Sequence, residues 1–131
     1  MLDKKFLQTV RKELLAYAQK RREVIKFAGD AQFLAKKTIF SLQGGNINEA
    51  KNSLNEAKKI LITLSKKYKT TADLFDEGSF KAALEEYAEA ELFLSFVEDK
   101  KISRIRDLKI DSDIYIGGLC DVLGEILRFD I

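Results

Sequence analysis

The chain has 131 residues, 46% of them hydrophobic and 34% charged, with a formal net charge of +2. This length and mixture predict a single soluble domain rich in helix. Histidine is absent, so histidine-based catalysis and histidine-ligated zinc are excluded. No apolar run approaches the roughly 20 residues that span a bilayer, and the N-terminus lacks an apolar signal core, so we expect a cytoplasmic protein with no membrane partner.

The small net charge hides an asymmetry between the two halves of the chain. Residues 1–70 hold 16 Lys or Arg against 6 Asp or Glu, whereas residues 71–131 hold 7 against 15. A basic half suits a polyanion, and an acidic half can hold divalent cations. The plainer interpretation is that lysine-rich helices simply solvate their outer faces.

The first segment, residues 3–43, predicts one very long helix or two nearly collinear ones. Apolar residues repeat every seven positions, which indicates an amphipathic helix packed lengthwise against its neighbours. One track is Val10, Tyr17, Val24 and Ala31, and the other is Leu14, Ala28, Ala35 and Leu42, with Arg21 interrupting the second. Gly29 is a candidate bend, and Gly44 with Gly45 is expected to end the helix.

Two further helices are predicted before residue 99. Asn46 is a good N-cap, and Glu49 three positions later completes a capping-box pattern. The helix that follows should run to about Tyr68, with one apolar stripe consisting of Ala50, Leu54, Ala57, Leu61, Leu64 and Tyr68. The capping candidates Thr70, Thr71 and Ser79 flank a short helical turn at residues 72–76. The next helix, the central one, is expected from near Phe80 to around Glu98.

The C-terminal part begins with a loop and ends with a glycine-rich helix. Residues 99–110 have a high charge density and weak periodicity, which predict a connection containing at most one short strand or turn. Asp111, Ser112 or Asp113 should cap the last helix, which we expect to continue to the chain end. The lone Cys120 fits a small buried hydrophobe better than a nucleophile. No segment has the pattern of a long strand, so the fold is predicted to be all-α, an antiparallel helical bundle.

Two pairs of acids are the candidate chemical groups. Glu86 and Glu89 stand three apart in a helix that is apolar on most other sides, while Asp121 and Glu125 stand four apart in the last helix. Buried carboxylates are expensive unless they are paired or bind metal, so we expect the two pairs to meet. An oxygen-only site suits Mg²⁺ or Mn²⁺. The alternative is that these acids are ordinary surface residues of amphipathic helices, because both spacings are common.

Two stretches resemble the translin family. Residues 84–90 (LEEYAEA), with an aromatic-rich stretch after them, resemble the family's central helix and most closely the branch of translin-associated factor X. Residues 115–128 resemble the family signature Tyr-x-x-Gly-x-x-Asp-Leu-x-Gly-Glu-Leu-x-Arg, with Val122 in place of the usual Leu. A weaker likeness covers residues 22–42.

The resemblance implies an all-helical fold that assembles into oligomers enclosing a basic cavity for single-stranded RNA or DNA. Its factor X branch implies a metal-dependent endoribonuclease, and the catalytic and metal-binding acids carried over by position are Glu86, Glu89, Asp121 and Glu125. The cofactor would be Mg²⁺ or Mn²⁺, and the partner a second copy or a translin-like subunit. Family members continue for further helices, so residues 1–131 are expected to form one translin-like domain without the family's final helices.

Other functions stay open beside the nuclease. The candidate phosphate contacts are Arg21, Arg22, Lys36 and Lys37, and each would serve equally in a protein that binds nucleic acid without cleaving it. A helical-repeat interaction module of the tetratricopeptide type is a further alternative. Residues 45–50 and 78–83 are similar and are offset by 33, close to the period of 34 in such repeats.

Overall fold

The computed structural model describes residues 1–68 and 78–129, and this part of the chain contains helices and no strand. The helices are α1 (Lys4–Gln43), α2 (Ile47–Lys67), α3 (Gly78–Val97) and α4 (Ser112–Phe129). The predicted all-α bundle with a very long first helix is therefore confirmed. Helix α3 begins two residues earlier than predicted, so Ser79 lies within its first turn. The turn predicted at residues 72–76, with Thr70 and Thr71, lies outside the described residues.

Local sequence signals mark both ends of α1. The Asp3 carboxylate accepts hydrogen bonds from the backbone N–H groups two and three residues later, at 3.0 and 3.4 Å. The helix continues through Gly29 without a break. At its end, the N–H groups of Gly44 and Gly45 each donate to a carbonyl of the last turn at 3.1 Å. Gly45 has a φ of 80°, a left-handed conformation that favours glycine.

A short turn folds α2 back against α1. Glu49 and Asn46 form the predicted reciprocal cap: the Glu49 N–H donates to Asn46 Oδ1 at 3.3 Å, and Asn46 Nδ2 donates to Glu49 Oε2 at 2.8 Å. Every residue of the predicted α2 stripe is buried. Small residues on the facing side of α1, Ala28, Ala31 and Ala35, are also fully buried and let the neighbouring helices pack closely.

The first half of α1 corrects one prediction. The seven-residue tracks were expected to pack lengthwise, but Val10, Leu14 and Tyr17 are exposed, and burial begins only at Val24. The reason lies in the length of α2, which has 21 residues against 40 in α1. The Lys67 ammonium at the end of α2 pairs with the Glu23 carboxylate, so no described helix runs beside the preceding turns of α1.

Helix α3 occupies the centre of the bundle, as its nearly all-round apolar character predicts. Tyr87 and Phe93 are its largest fully buried side chains. The connection from α3 to α4 is a loop that is tied to the core by Ile105, Leu108 and Ile110, all buried. Within it, the Ile105 N–H donates to the Tyr115 hydroxyl at 2.7 Å, which anchors the loop to the first turn of α4.

Helix α4 packs on α3 through Ile114, Gly118 and Val122. Its opposite face is exposed, and that face includes Cys120. The prediction that Cys120 is buried is therefore wrong. The physical reason is that α4 contacts α3 along one narrow side, and no described element covers the other.

The tetratricopeptide alternative does not fit this architecture. Such repeats stack short helix pairs, whereas α1 alone has 40 residues, more than one whole repeat. Helices α2 and α3 also differ in kind, since α2 has a lysine-rich exposed face and α3 is apolar nearly all round. Among the described helices, none combines the length and apolar character that crossing a membrane requires.

We expect Gly29→Ala to stabilise the protein. A Cβ at Gly29 would meet no atom within 4 Å, and alanine removes the entropic cost of glycine inside a helix. The gain should be about 0.5–1 kcal/mol in the free energy of unfolding, measured by urea denaturation. Gly45→Ala is the control, because its φ of 80° should make alanine destabilising there. A lower urea midpoint for Gly29→Ala would contradict this account.

Candidate functional site

Helix α3 supplies the first group of acids. Glu89 is only 6% exposed, and its neighbours Tyr87, Ala88 and Ala90 are fully buried. Glu86 lies one turn earlier and is half-buried. Both side chains line a pocket of about 300 Å³ between α1, α3 and α4. The sequence-based expectation that this helix carries carboxylates into a buried environment is therefore correct for Glu89.

The second group of acids lies on a helix, α4, that has a glycine where its backbone packs on α3. A Cβ at Gly118 would lie 3.2 Å from Ala88 Cβ and 3.3 Å from the backbone nitrogen of Glu89, closer than nearly all real contacts. Without that side chain, the α4 backbone lies directly on α3. Asp121 and Glu125 follow on the same helix, one and two turns further along.

The electrostatics show that the two groups of acids influence one another. Burial raises the pKa of Glu89 to about 8, with further contributions from the negative charges of Glu86, Asp121 and Glu125. Burial also raises the pKa of Glu86, and the Lys36 ammonium opposes that shift. The charges of Glu86, Asp121 and Glu125 thus act on Glu89, but only Glu86, Glu89 and Glu125 line the pocket, and Asp121 is exposed outside its lining.

Glu125 is held in place by neighbours that sequence reasoning did not identify. Gln43, at the end of α1, donates from Nε2 to the Glu125 carboxylate at 2.8 Å and to its backbone oxygen at 3.0 Å. The Arg128 guanidinium forms an ion pair with the same carboxylate. Gln43 lies next to the glycines that end α1, and only the folded chain brings it near α4, 82 residues away in sequence.

A fifth acid, Glu85, was also missed by the sequence analysis. Its carboxyl group occupies the space beside Gly117, where a Cβ would lie 2.8 Å from Glu85 Cδ. Burial, together with the charge of Asp121 and a hydrogen bond to it, raises the pKa of Glu85. Among the acids of α3, Glu85 therefore interacts most directly with Asp121. The available signal was the spacing, since Glu85 and Glu89 stand four apart on α3.

The acids do not form a ready coordination shell. Across residues 1–68 and 78–129, no group of three or more acidic or cysteine side chains stands close enough together to hold a metal ion. Their chemistry does fit a hard cation, because every donor is a carboxylate oxygen. The fold thus brings Glu86, Glu89 and Glu125 to one pocket, leaves Asp121 exposed outside its lining, and closes no three acids of the described chain around one point.

The four predicted phosphate contacts all lie exposed on α1. Lys36 borders the acidic pocket, and Lys37 has an ion-pair contact of 4.0 Å with Glu49. Arg21 and Arg22 precede Lys36 on the same helix and lie roughly 21–23 Å from it along the axis, at 1.5 Å per residue. Only Lys36 is therefore part of the pocket itself, while the others extend a basic surface away from it.

No family model matches this sequence, and no curated protein matches it. Solved structures do match. The chain is similar to the crystal structure of apo-NeC3PO, with a TM-score of 0.83 and 23% identity over 98% of this chain and 67% of that one. It is also similar to a complex of AfC3PO with duplex RNA, with a TM-score of 0.78 and 22% identity, and to the crystal structure of AfC3PO, with a TM-score of 0.79 and 23% identity.

These likenesses establish a shared fold. Both AfC3PO matches cover 94% of this chain and 63% of the other, so the chain spans about two thirds of the length of these structures. At 22–23% identity, the likeness shows the fold alone.

Without divalent cations, we expect stability to fall as the pH rises from about 4.5 to above 8. The pKa of Glu89 is raised from 4.5 to about 8 in the folded protein, so the folded state keeps a proton that the unfolded state releases in this window. This contribution to stability is complete below pH 4.5 and is lost as the pH passes 8. Glu89→Gln stays neutral, so its urea midpoint should vary less with pH.

Glu91→Gln is the matched control, because Glu91 lies on the same helix but accepts its hydrogen bond from Tyr87, 2.8 Å away. Its pH dependence should follow that of the unmodified protein. The assignment fails if Glu89→Gln shows the same loss of stability between about pH 5 and about pH 9 as the unmodified protein.

Proposed function

We propose that this chain is a translin-family protein that binds RNA and cleaves it with a divalent cation. The observation that carries the proposal is the pocket that Glu86, Glu89 and Glu125 share with Lys36, together with the charge of Asp121 acting on Glu86 and Glu89. The C3PO structures, which are translin and factor X complexes, share the fold and support the family. The presence of all four acids favours the factor X branch.

RNA is the proposed polymer for two reasons. AfC3PO, which has the same fold, is known in complex with duplex RNA. In addition, α1 carries Arg21, Arg22, Lys36 and Lys37 on exposed turns that lead towards the acidic pocket. Basic side chains that contact phosphates hold a polynucleotide in register without reading its bases. We propose single-stranded RNA as the substrate, and single-stranded DNA as a ligand of the same surface.

The carboxylates and the residues around them would have different roles in such a site. Mg²⁺ or Mn²⁺ bound by Glu86, Glu89, Asp121 and Glu125 would supply an activated water and offset charge on the phosphate. Gln43 and Arg128 hold the Glu125 carboxylate in one orientation. Lys36 places a positive charge at the rim of the pocket, where a phosphate group entering it would be attracted. Glu89, which is buried, forms part of the pocket wall.

A second candidate is a translin-like protein that binds nucleic acid without cleaving it. It is favoured by the spacing of the acids, which does not bring three of them around one point in the described chain. In that case, affinity for RNA would fall steeply with salt, and no divalent cation would produce cleavage. Assembly, either with a second copy or with a translin-like subunit, and a cytoplasmic location are further parts of the proposal.

The nuclease is tested with single-stranded RNA and Mg²⁺ or Mn²⁺, followed by gel analysis of the products. We expect cleavage by the unmodified protein. Glu89→Gln and Asp121→Asn should each lower the rate by about 100-fold or more, because loss of a metal ligand is at least as costly as loss of a residue that supports one.

The matched control is again Glu91→Gln, which removes one negative charge from the same helix outside the pocket. It should cleave at the original rate. Cleavage at an unchanged rate in Glu89→Gln and Asp121→Asn would refute the catalytic assignment. Binding without cleavage under every condition would favour the second candidate.

The phosphate contacts are tested by the dependence of RNA affinity on salt. For single strands, the slope of log affinity against log salt is about −0.7 per phosphate neutralised. Lys36→Ala and Lys37→Ala should each make this slope shallower by about that amount, for every RNA sequence. Lys66→Ala, on the exposed side of α2, is the control and should leave the slope unchanged. An unchanged slope in the two α1 variants would remove them from the interface.

A further inference from the structure

The outer face of α1 carries two exposed phenylalanines among basic side chains. At about 100° per residue, one side of the helix collects six residues within an arc of roughly 100°. These residues, named here the outer stripe, are Arg22, Lys26, Phe33, Lys36, Lys37 and Phe40. The stripe lies opposite the buried face that includes Ala28, Ala31 and Ala35.

The two phenylalanine side chains are largely exposed to solvent. Phe33 is 68% exposed and Phe40 is 80% exposed, so neither contributes much to the core. Phe40 is also a wall of the acidic pocket, next to Lys36 and Glu86. An exposed ring at the rim of a charged pocket is placed to contact a ligand that has both apolar faces and negative charges.

We infer that Phe33 and Phe40 each stack on a base of a single-stranded RNA whose phosphates lie along Lys36 and Lys37. Stacking on aromatic rings combined with basic contacts to the backbone is the general way in which proteins bind single strands. This assignment rests on the proposed function, because it deepens the binding of RNA beside the acidic pocket.

The geometry of the outer stripe suits such a strand. Phe33 and Phe40 are two helical turns apart, about 10.5 Å along the axis, and Lys36 and Lys37 lie between them. The path continues past Gly29, where a Cβ would meet nothing within 4 Å, towards Lys26 and the turn before it. The strand would therefore follow the helix axis and reach the carboxylates at the Phe40 end.

The same arrangement predicts a preference for unpaired RNA. In a duplex, each base is already stacked and paired, so its face is not available to a ring on the protein surface. A single strand offers its base faces freely. Four basic residues in the outer stripe also disfavour covering it with the same face of a second copy, because like charges repel across such a contact.

The test uses an oligoadenylate of 12 nucleotides in EDTA. Fluorescence anisotropy measures its affinity for the protein, and quenching of a 2-aminopurine base in it reports stacking. Phe33→Ala and Phe40→Ala should each weaken binding by about 5- to 150-fold and reduce the quenching, while the salt slope stays the same. Phe40→Trp should restore both. Affinity for duplex RNA and for an abasic strand of equal length should be unchanged.

The matched control is Phe6→Ala, because Phe6 is 63% exposed on the same helix but lies far from the pocket, near the start of α1. It should bind like the unmodified protein. The stacking assignment is overturned if Phe33→Ala and Phe40→Ala bind oligoadenylate normally, or if they change only the molecular mass in light scattering, which would indicate a protein interface.

Failure of the proposed function and failure of the stacking assignment give different results. If the unmodified protein does not bind single-stranded RNA, both the function and the stacking assignment are refuted. If it binds, shows the predicted quenching and never cleaves RNA, the stacking assignment holds and only the nuclease is refuted.

Discussion

The Glu89 carboxyl group lies in the interior of the bundle, within reach of the charges of three other acids. Such a group is stable only when it keeps its proton or when a positive charge joins it. Gly118 favours this arrangement, because a Cβ there would lie 3.2 Å from Ala88 Cβ and 3.3 Å from the Glu89 backbone nitrogen, so the two helices would have to shift apart slightly. A close helix contact thus creates an electrostatic cost that a cation would relieve.

Three helices line the resulting pocket, and each contributes a different set of side chains. Helix α3 provides the buried Glu89 and the half-buried Glu86, α4 provides Glu125, and α1 provides the side chains Lys36, Phe40 and Gln43. At this pocket, the two differently charged halves of the chain meet: the basic helix α1 lies beside the acidic side chains of α3 and α4. A polyanion attracted by α1 would meet carboxylates whose negative charge a bound cation would offset.

Much of this could be predicted from local patterns. The reciprocal cap of Asn46 and Glu49, the α2 stripe and the buried central helix all depend on residues close in sequence. The errors arose where burial depends on what lies opposite: Val10 and Cys120 are exposed because no described helix covers them. Gln43 was missed because the helix it contacts, α4, lies 82 residues away in sequence. Periodicity defines a face, but it does not say whether that face has a partner.

The central claim is that acids from α3 and α4 act as one cation site. Crystals grown with Mn²⁺ and measured at a wavelength with manganese anomalous signal would test it most directly. We predict one strong anomalous peak in contact with carboxylate oxygens of both helices, Glu89 and Asp121 among them. A protein that binds no Mn²⁺ there, or binds it only at surface acids elsewhere, would contradict the account.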